Sequence, residues 1–323
     1  MVRTWYFLAA LALAVPPAAS AGGAAPDEGD EGAEARRAPR TSRTLRDAAT
    51  PLYRVDEETG ALVPDLRAEA AIIYDVQTGE IIWGENEDVQ RSIASITKVM
   101  TAIVFVESNP DFTEDVLITR ADLRRASTTY LRSGERVSVE DLLHLLLVPS
   151  DNAAARVLAR VYPGGEAAFV ARMNEKAAEL GLRNTVYDDP SGLSSENLSS
   201  AHDMARLITV AVANERIGTI MRMPEYSFRT SHRRVHVRTT NQLVRQGDVD
   251  VIGGKTGFIR KAGYCLATLL RLPGDGPEVA VVVLGAGSSL NRFWEARHLF
   301  NWVAQNVSVF TGTSQLQSAV LTP

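Results

Sequence analysis

The sequence predicts an α+β fold: an antiparallel sheet flanked by helices, with a helical subdomain inserted. Three observations predict it. Strand-like runs come first, AEAAIIYDV and EIIWGEN on either side of Gln77-Thr78-Gly79, and strand-like runs return late, in VIGGKTGFI, AGYCLATLLRL and EVAVVVLGA. Between them lie segments with apolar residues every three or four positions, the period of a half-buried helix. A final amphipathic segment, NRFWEARHLFNWVAQNV, closes as a helix.

Taken in order, the first 21 residues read MVRTWYFLAALALAVPPAASA, with one basic residue, an apolar run from Trp5 to Val15 and small residues at Ala19-Ser20-Ala21. This is the pattern of a cleaved export signal, expected over 1–21. The run is shorter than the ~20 residues of a membrane span and is broken by Pro16-Pro17, so no transmembrane span is expected after cleavage. Residues 22–65 start with an acidic block followed by a basic one and have few large apolar residues, so they are expected to be a disordered linker. A single catalytic domain is expected over 66–307, and a polar tail over 308–323.

Within that domain the hairpin is followed by RSIASITKVMTAIVF, an apolar helical run, and then by VLITRADLR and the turn-rich TTYLRSGERVS. Four helical segments come next: VEDLLHLLLVPS, DNAAARVLARVY, GEAAFVARMNEKAAELGL and AHDMARLITVAVANE. Ser138, Pro149, Pro163-Gly164-Gly165 and Gly181 mark their starts and stops. Short strands are expected at YSFRT and RRVHVRT before the sheet resumes, and Gly274-Asp275-Gly276-Pro277 supplies the last turn.

Composition excludes several classes. The chain has 323 residues, 45% of them hydrophobic and 23% charged, with a net charge of −5. With no basic stripe interleaved with aromatics, nucleic acid is not expected as a partner. The lone cysteine, Cys265, cannot form an intramolecular disulfide and reads as a small buried hydrophobe. No His-Glu-x-x-His occurs, the five histidines show no metal-ligand spacing, and His232 and His236 read as solvated; no metal and no cofactor is expected. A Gly-x-Ser-x-Gly elbow, a phosphate loop and a dinucleotide fingerprint are also absent. A serine nucleophile would therefore need a base other than histidine.

Lysine is the candidate. Of 34 basic residues only Lys98, Lys176, Lys255 and Lys261 are lysines. Arginine keeps its proton in proteins, whereas a desolvated lysine can lose it. Lys98 follows Ser95 by three positions, so the two share a helix face. Alone, that pair also fits a helix-capping serine and a lysine reaching out to water. Ser150-Asp151-Asn152 begins a new helix after Pro149, where a plain cap is the alternative, and Lys255-Thr256-Gly257 lies in a Gly-flanked strand. Ser-x-x-Lys, Ser-Asp-Asn and Lys-Thr-Gly in that order form the set found in penicillin-binding proteins and related β-lactamases.

On these residues the chain resembles the D-alanyl-D-alanine carboxypeptidase and endopeptidase family, the low-molecular-mass penicillin-binding proteins. IASITKVMTA, LLHLLLVPSDNAAA, MNEKAAELGLRNTVYDDPSGLS, the Ala201-His202-Asp203-Met204 helix start and GGKTGF with AGYCLA carry the likeness, from about Ala68 to Val307. The resemblance implies the β-lactamase/DD-peptidase fold, peptidoglycan stem peptides as substrate in the periplasm or cell envelope, and β-lactam antibiotics as covalent inhibitors. It implies catalysis by Ser95 as nucleophile, Lys98 as base and Ser150 as proton carrier. Asn152, Lys255, Thr256 and Gly257 would bind substrate, and the backbone N–H groups of Ser95 and Phe258 would form the oxyanion hole. Lys98 would have to fall about three pKa units to act as a free amine, through burial and the nearby cation Lys255. YPGGEAAFVARMN and KTGF favour the endopeptidase branch over the carboxypeptidase one. Two alternatives remain: a β-lactam hydrolase, although Glu-x-x-Leu-Asn is missing, and a non-catalytic peptidoglycan-binding protein.

Overall fold

In EVAVVVLGA, alternate residues point to opposite faces of a strand, and nearly all of them are buried. Val279, Val281 and Val283 join one apolar core, while Ala280, Val282 and Leu284 join another. Each large aliphatic side chain taken from water contributes about 1.5–3 kcal/mol. Covering both faces of one sheet is therefore what this sequence encodes.

The structure, a computed structural model, describes residues 50–57, 59–127 and 129–320, with backbone alone from 307 onward. Its first elements are β1 (Tyr53–Val55) and β2 (Leu62–Pro64), an antiparallel hairpin, then β3 (Ala70–Asp75) and β4 (Ile81–Glu85). The short β5 (Arg91–Ser92) runs into a 3-10 turn, Ala94–Ile96, and α1 (Thr97–Glu107). The helical block holds β6 (Asp115–Leu117), α2 (Arg120–Leu123), β7 (Arg136–Ser138), α3 (Val139–Leu147), α4 (Asn152–Val161) and α5 (Gly165–Glu179). After β8 (Leu198–Ser199) come α6 (Ala201–Ala213), α7 (Glu215–Met221), β9 (Glu225–Arg229), β10 (Arg234–Arg238) and α8 (Gln242–Gln246). The chain then makes β11 (Asp250–Ile259), β12 (Gly263–Arg271), β13 (Glu278–Ala286) and α9 (Asn291–Val320).

The main sheet has the order β11-β12-β13-β3-β4 and is antiparallel throughout. Its late strands thus pair with its early ones, Val281 opposite Ile73, and the intervening block is an insert. Phe293, Ala296, Leu299, Phe300 and Val303 of α9 cover one face, while α6, with α7 against β11, covers the other. Ser138, the start the sequence marks, caps α3 by accepting from the Asp141 amide, and Ser200 caps α6 by accepting from the Asp203 amide. Helix α1 is different. Every residue from Thr97 to Phe105 is buried, so it runs through the core instead of lying on it.

Two boundaries differ from those expected. The linker reading over 22–65 takes in residues that are ordered: β1 and β2 pair, Val63 is buried, and the Trp302 indole donates to the Leu62 carbonyl at 3.0 Å. Three-residue strands are too short to show a period, and it is α9, far along the chain, that holds this hairpin. At the other end the α9 backbone continues through Val320, past the expected tail boundary at Val307. The expected signal over 1–21 lies outside the described residues. Among the described residues no helix is long and apolar enough to cross a membrane.

Candidate active site

Ser95 sits in the 3-10 turn ahead of α1, and its hydroxyl caps nothing: neither the turn nor the helix has a side-chain cap. The residue before it, Ala94, is held at φ +49°, a conformation costing about 1–3 kcal/mol for a residue with a Cβ. Packing fixes it there. Gly192 and Gly257 approach so closely that a Cβ on the first would lie 2.1 Å from the Ala94 carbonyl oxygen. A Cβ on the second would lie 2.7 Å from that of Ile93. Only glycine fits either place, so a loop and the strand β11, distant in sequence, clamp the turn that carries Ser95.

Lys98, one helical turn on, does not reach water. It is 0% exposed, and its Nζ donates to Ser95 Oγ at 2.9 Å, to Asn152 Oδ1 at 2.7 Å and to the Ser191 carbonyl at 2.5 Å. Asn152 is in turn fixed by its Nδ2 donating to the Ala126 carbonyl at 2.8 Å. The cap of α4 is Asp151, whose carboxylate accepts from the amides of Ala154 and Tyr130. Ser150 and Asn152 are thereby released from the capping role that the sequence left open.

Ser150 adopts φ +65°, and its hydroxyl accepts from Lys255 Nζ at 2.6 Å. Lys255 is 1% exposed and donates also to the Thr256 carbonyl at 2.9 Å. Thr256 shares a 2.6 Å hydrogen bond with Thr240, whose amide donates to Val148, so the end of α3 is tied to the middle of β11. Phe258 presents a half-exposed ring stacked on Tyr264 at 4.2 Å.

Burial lowers the pKa of Lys98 from 10.5 to about 7, against the opposing pull of Asp189 and Asp151. Lys255 lies well below the usual lysine range through burial first, then through Lys98 and Arg292, and the repulsion between the two lysines disfavours the charged form of both. Removing an ammonium from water is the larger effect at both positions. Among the described residues no three His, Cys, Asp or Glu side chains gather where a metal ion could be held.

The residues singled out from the sequence come together in two adjoining sets, Ser95, Lys98 and Asn152, then Ser150, Lys255 and Thr256, with Gly257 packed on the turn. Sequence reasoning missed the loop Asp188–Ser194. There Asp189 Oδ1 accepts from the Ser191 amide at 2.5 Å, the Ser191 hydroxyl at 2.8 Å and the Gly192 amide at 2.7 Å. Its other oxygen accepts from the Ser194 amide. Asp-Pro-Ser-Gly signals a turn, but nothing local says that the Ser191 carbonyl faces Lys98. Arg292 was missed too: from α9 it donates to the carbonyls of Gly257 at 3.0 Å and Cys265 at 3.4 Å, bridging β11 and β12 behind the site.

Comparison with known proteins gives a consistent result. The profile of the D-alanyl-D-alanine carboxypeptidase family matches residues 57–288. A D-alanyl-D-alanine endopeptidase of Pseudomonas aeruginosa is 35% identical over 246 residues, 75% of this chain and 79% of that one. The endopeptidase of Escherichia coli is 33% identical over 76% and 80%. Its carboxypeptidase DacD is 32% identical over 75% of this chain and 64% of its own. Among solved structures, a Streptomyces DD-transpeptidase superposes with a TM-score of 0.70 at 30% identity, covering 74% of this chain and 97% of that one.

Proposed function

The chain belongs to the D-alanyl-D-alanine carboxypeptidase family, and from that premise we propose that it is a serine peptidase cutting D-alanyl bonds of peptidoglycan stem peptides through an acyl-enzyme on Ser95. The observation that carries the reading is the 2.9 Å contact between Ser95 Oγ and a fully buried Lys98 whose pKa is about 7. At neutral pH roughly half of such a lysine is free amine.

Lys98 Nζ takes the Ser95 proton as Oγ attacks the D-alanyl carbonyl carbon. The negative charge gathering on the carbonyl oxygen is met by the N–H groups of Ser95 and Phe258. Collapse breaks the carbon–nitrogen bond, and Ser150 passes a proton to the leaving amine while it regains one, the proton that Lys98 took from Ser95, so Lys98 is a free amine again. Asn152 holds Lys98 and the substrate amide in line. Lys255 and Thr256 bind the carboxylate beyond the scissile bond, and Gly257 lets the substrate backbone lie against β11. Water then hydrolyses the ester, with Lys98 again the base.

Within this class we favour endopeptidase action on crosslinks. The endopeptidase relatives are 35% and 33% identical to this chain, against 32% for the carboxypeptidase DacD and 29% for a Streptomyces carboxypeptidase. The export signal read in residues 1–21 suits a substrate outside the cytoplasm. Purified crosslinked and uncrosslinked muropeptides, analysed by mass, test the assignment. Conversion of dimers to monomers is the expected result, and loss of one alanine would make the enzyme a carboxypeptidase. A protein that cleaves neither and takes no labelled penicillin on Ser95 would overturn the reading, and rapid release of that label would mark a β-lactam hydrolase.

A further inference from the structure

Beside the Ser191 loop lies a cavity of about 540 Å³, lined by Arg124, Arg125, Arg156 and Glu166 and by the loop residues Asp189, Pro190, Ser191, Leu193 and Ser194. We propose that it is an anion subsite for a side carboxylate of the stem peptide on the acyl side of the scissile bond. The proposal rests on the peptidase reading and gives that reading a specificity determinant.

Four observations support it. First, the cavity and the catalytic groups share their walls. The Ser191 carbonyl accepts from Lys98, and the Ala126 carbonyl, next in sequence to Arg125, accepts from Asn152. The cavity thus lies on the Lys98 side of the nucleophile, whereas Lys255 lies on the Ser150 side.

Second, these arginines are uncompensated. Nearby Arg160 pairs with Asp122, Arg172 with Glu179 and Arg233 with Glu135, yet none of the three cavity arginines has an ion pair among the described residues. Asp189 lines the same wall, but both its oxygens are taken by the four donors of its own loop. Glu166 is the remaining acid, set against three cations. A concave surface of one sign focuses its field on a bound anion, and a guanidinium matches a carboxylate with two parallel hydrogen bonds.

Third, the segment is held in place. Arg156 Nη1 donates to the Arg124 carbonyl, joining α4 to the loop. Arg125 at φ +55° and Ser127 at φ +62° hold the backbone in the left-handed region on both sides of Ala126. Fourth, the substrate has the matching charge: stem peptides carry carboxylates on their acidic residues as well as at the terminus. With the terminal carboxylate assigned to Lys255 and Thr256, a side carboxylate is what remains for the arginines.

The test is equilibrium binding of a stem pentapeptide to the Ser95→Ala protein, which cannot turn it over. Two forms are compared, one with its side carboxylates free and one with them amidated, both keeping the terminal carboxylate. The free form should bind at least about tenfold more tightly, as a charged hydrogen-bonded pair requires. That preference should vanish with Arg124→Gln and Arg125→Gln, exposed positions at which the fold tolerates change, while Arg125→Lys keeps part of it. Equal affinity for the two forms, or a preference that survives both glutamine changes, overturns the subsite. The peptidase reading is scored separately by penicillin labelling of Ser95 in the otherwise unaltered protein, so either can fail without the other.

Discussion

Lys98 and Lys255 are the same side chain in the same degree of burial, each bonded to a serine, and they differ in their other charged neighbours. Lys98 has Asp189 and Asp151 near it, which pull its proton back and leave the pKa at about 7. Lys255 faces Lys98 and Arg292, which add to the effect of burial. The difference teaches how two lysines can divide a reaction. One is poised to exchange a proton near neutrality; the other lacks an anion, which a substrate carboxylate supplies on arrival.

Abolishing the first half of the comparison gives the largest effect. Lys98→Met keeps the volume in a packed helix and removes the base, so labelling of Ser95 by penicillin should slow by about 10²–10⁴-fold, with the circular dichroism spectrum unchanged. Gly192→Ala attacks the same half indirectly: a Cβ 2.1 Å from the Ala94 carbonyl oxygen must displace the loop and, with it, the Ser191 carbonyl on Lys98. A displacement approaching 1 Å costs up to about 10²-fold in acylation rate. Both outcomes would contradict the division of labour if peptide affinity changed and acylation did not.

The second half is tested by Lys255→Gln. Here kcat/KM should fall at least about tenfold for peptides ending in a free carboxylate, and much less for substrates whose terminus is amidated. An equal loss for both would place Lys255 in the proton chemistry instead.

The last prediction concerns stability and not rate. Lys98 has a folded pKa of about 7 against 10.5 for the exposed group, so between those values the unfolded chain holds more protons and stability rises with pH. Below pH 7 the full cost of burying the ammonium is present; above 10.5 it is gone. The melting temperature of Lys98→Met relative to the unsubstituted protein should therefore be most favourable at pH 7 and below and decline toward pH 10. A gap that does not vary with pH would mean that Lys98 is already neutral in the unfolded reference or still charged in the fold.

Much of the site was legible because its chemistry uses side chains in short, ordered motifs: Ser95 with Lys98, Ser150 with Asn152, Lys255 with Thr256. The sheet was legible too, since runs such as EVAVVV have only one use. What escaped was whatever depends on backbone groups or distant packing. The Ser191 carbonyl carries no sequence signal, and the need for glycine at 192 arises from Ala94, nearly a hundred residues earlier. The β1–β2 hairpin is held by Trp302 from the far end of the chain. The charge around Lys98 could not be read either, because Asp189 and Asp151 act through space; the sequence pointed only to burial and to Lys255.

The central claim is that Lys98 is a buried amine that titrates near neutrality and activates Ser95. Its most direct test is the rate of Ser95 acylation by a labelled penicillin of neutral side chain, measured from pH 5 to pH 10 on the unsubstituted protein. The rate should climb through a single ionisation centred near pH 7 and level off above it. A rate that is flat across the range, or that rises only as pH nears that of an ordinary lysine, would contradict it.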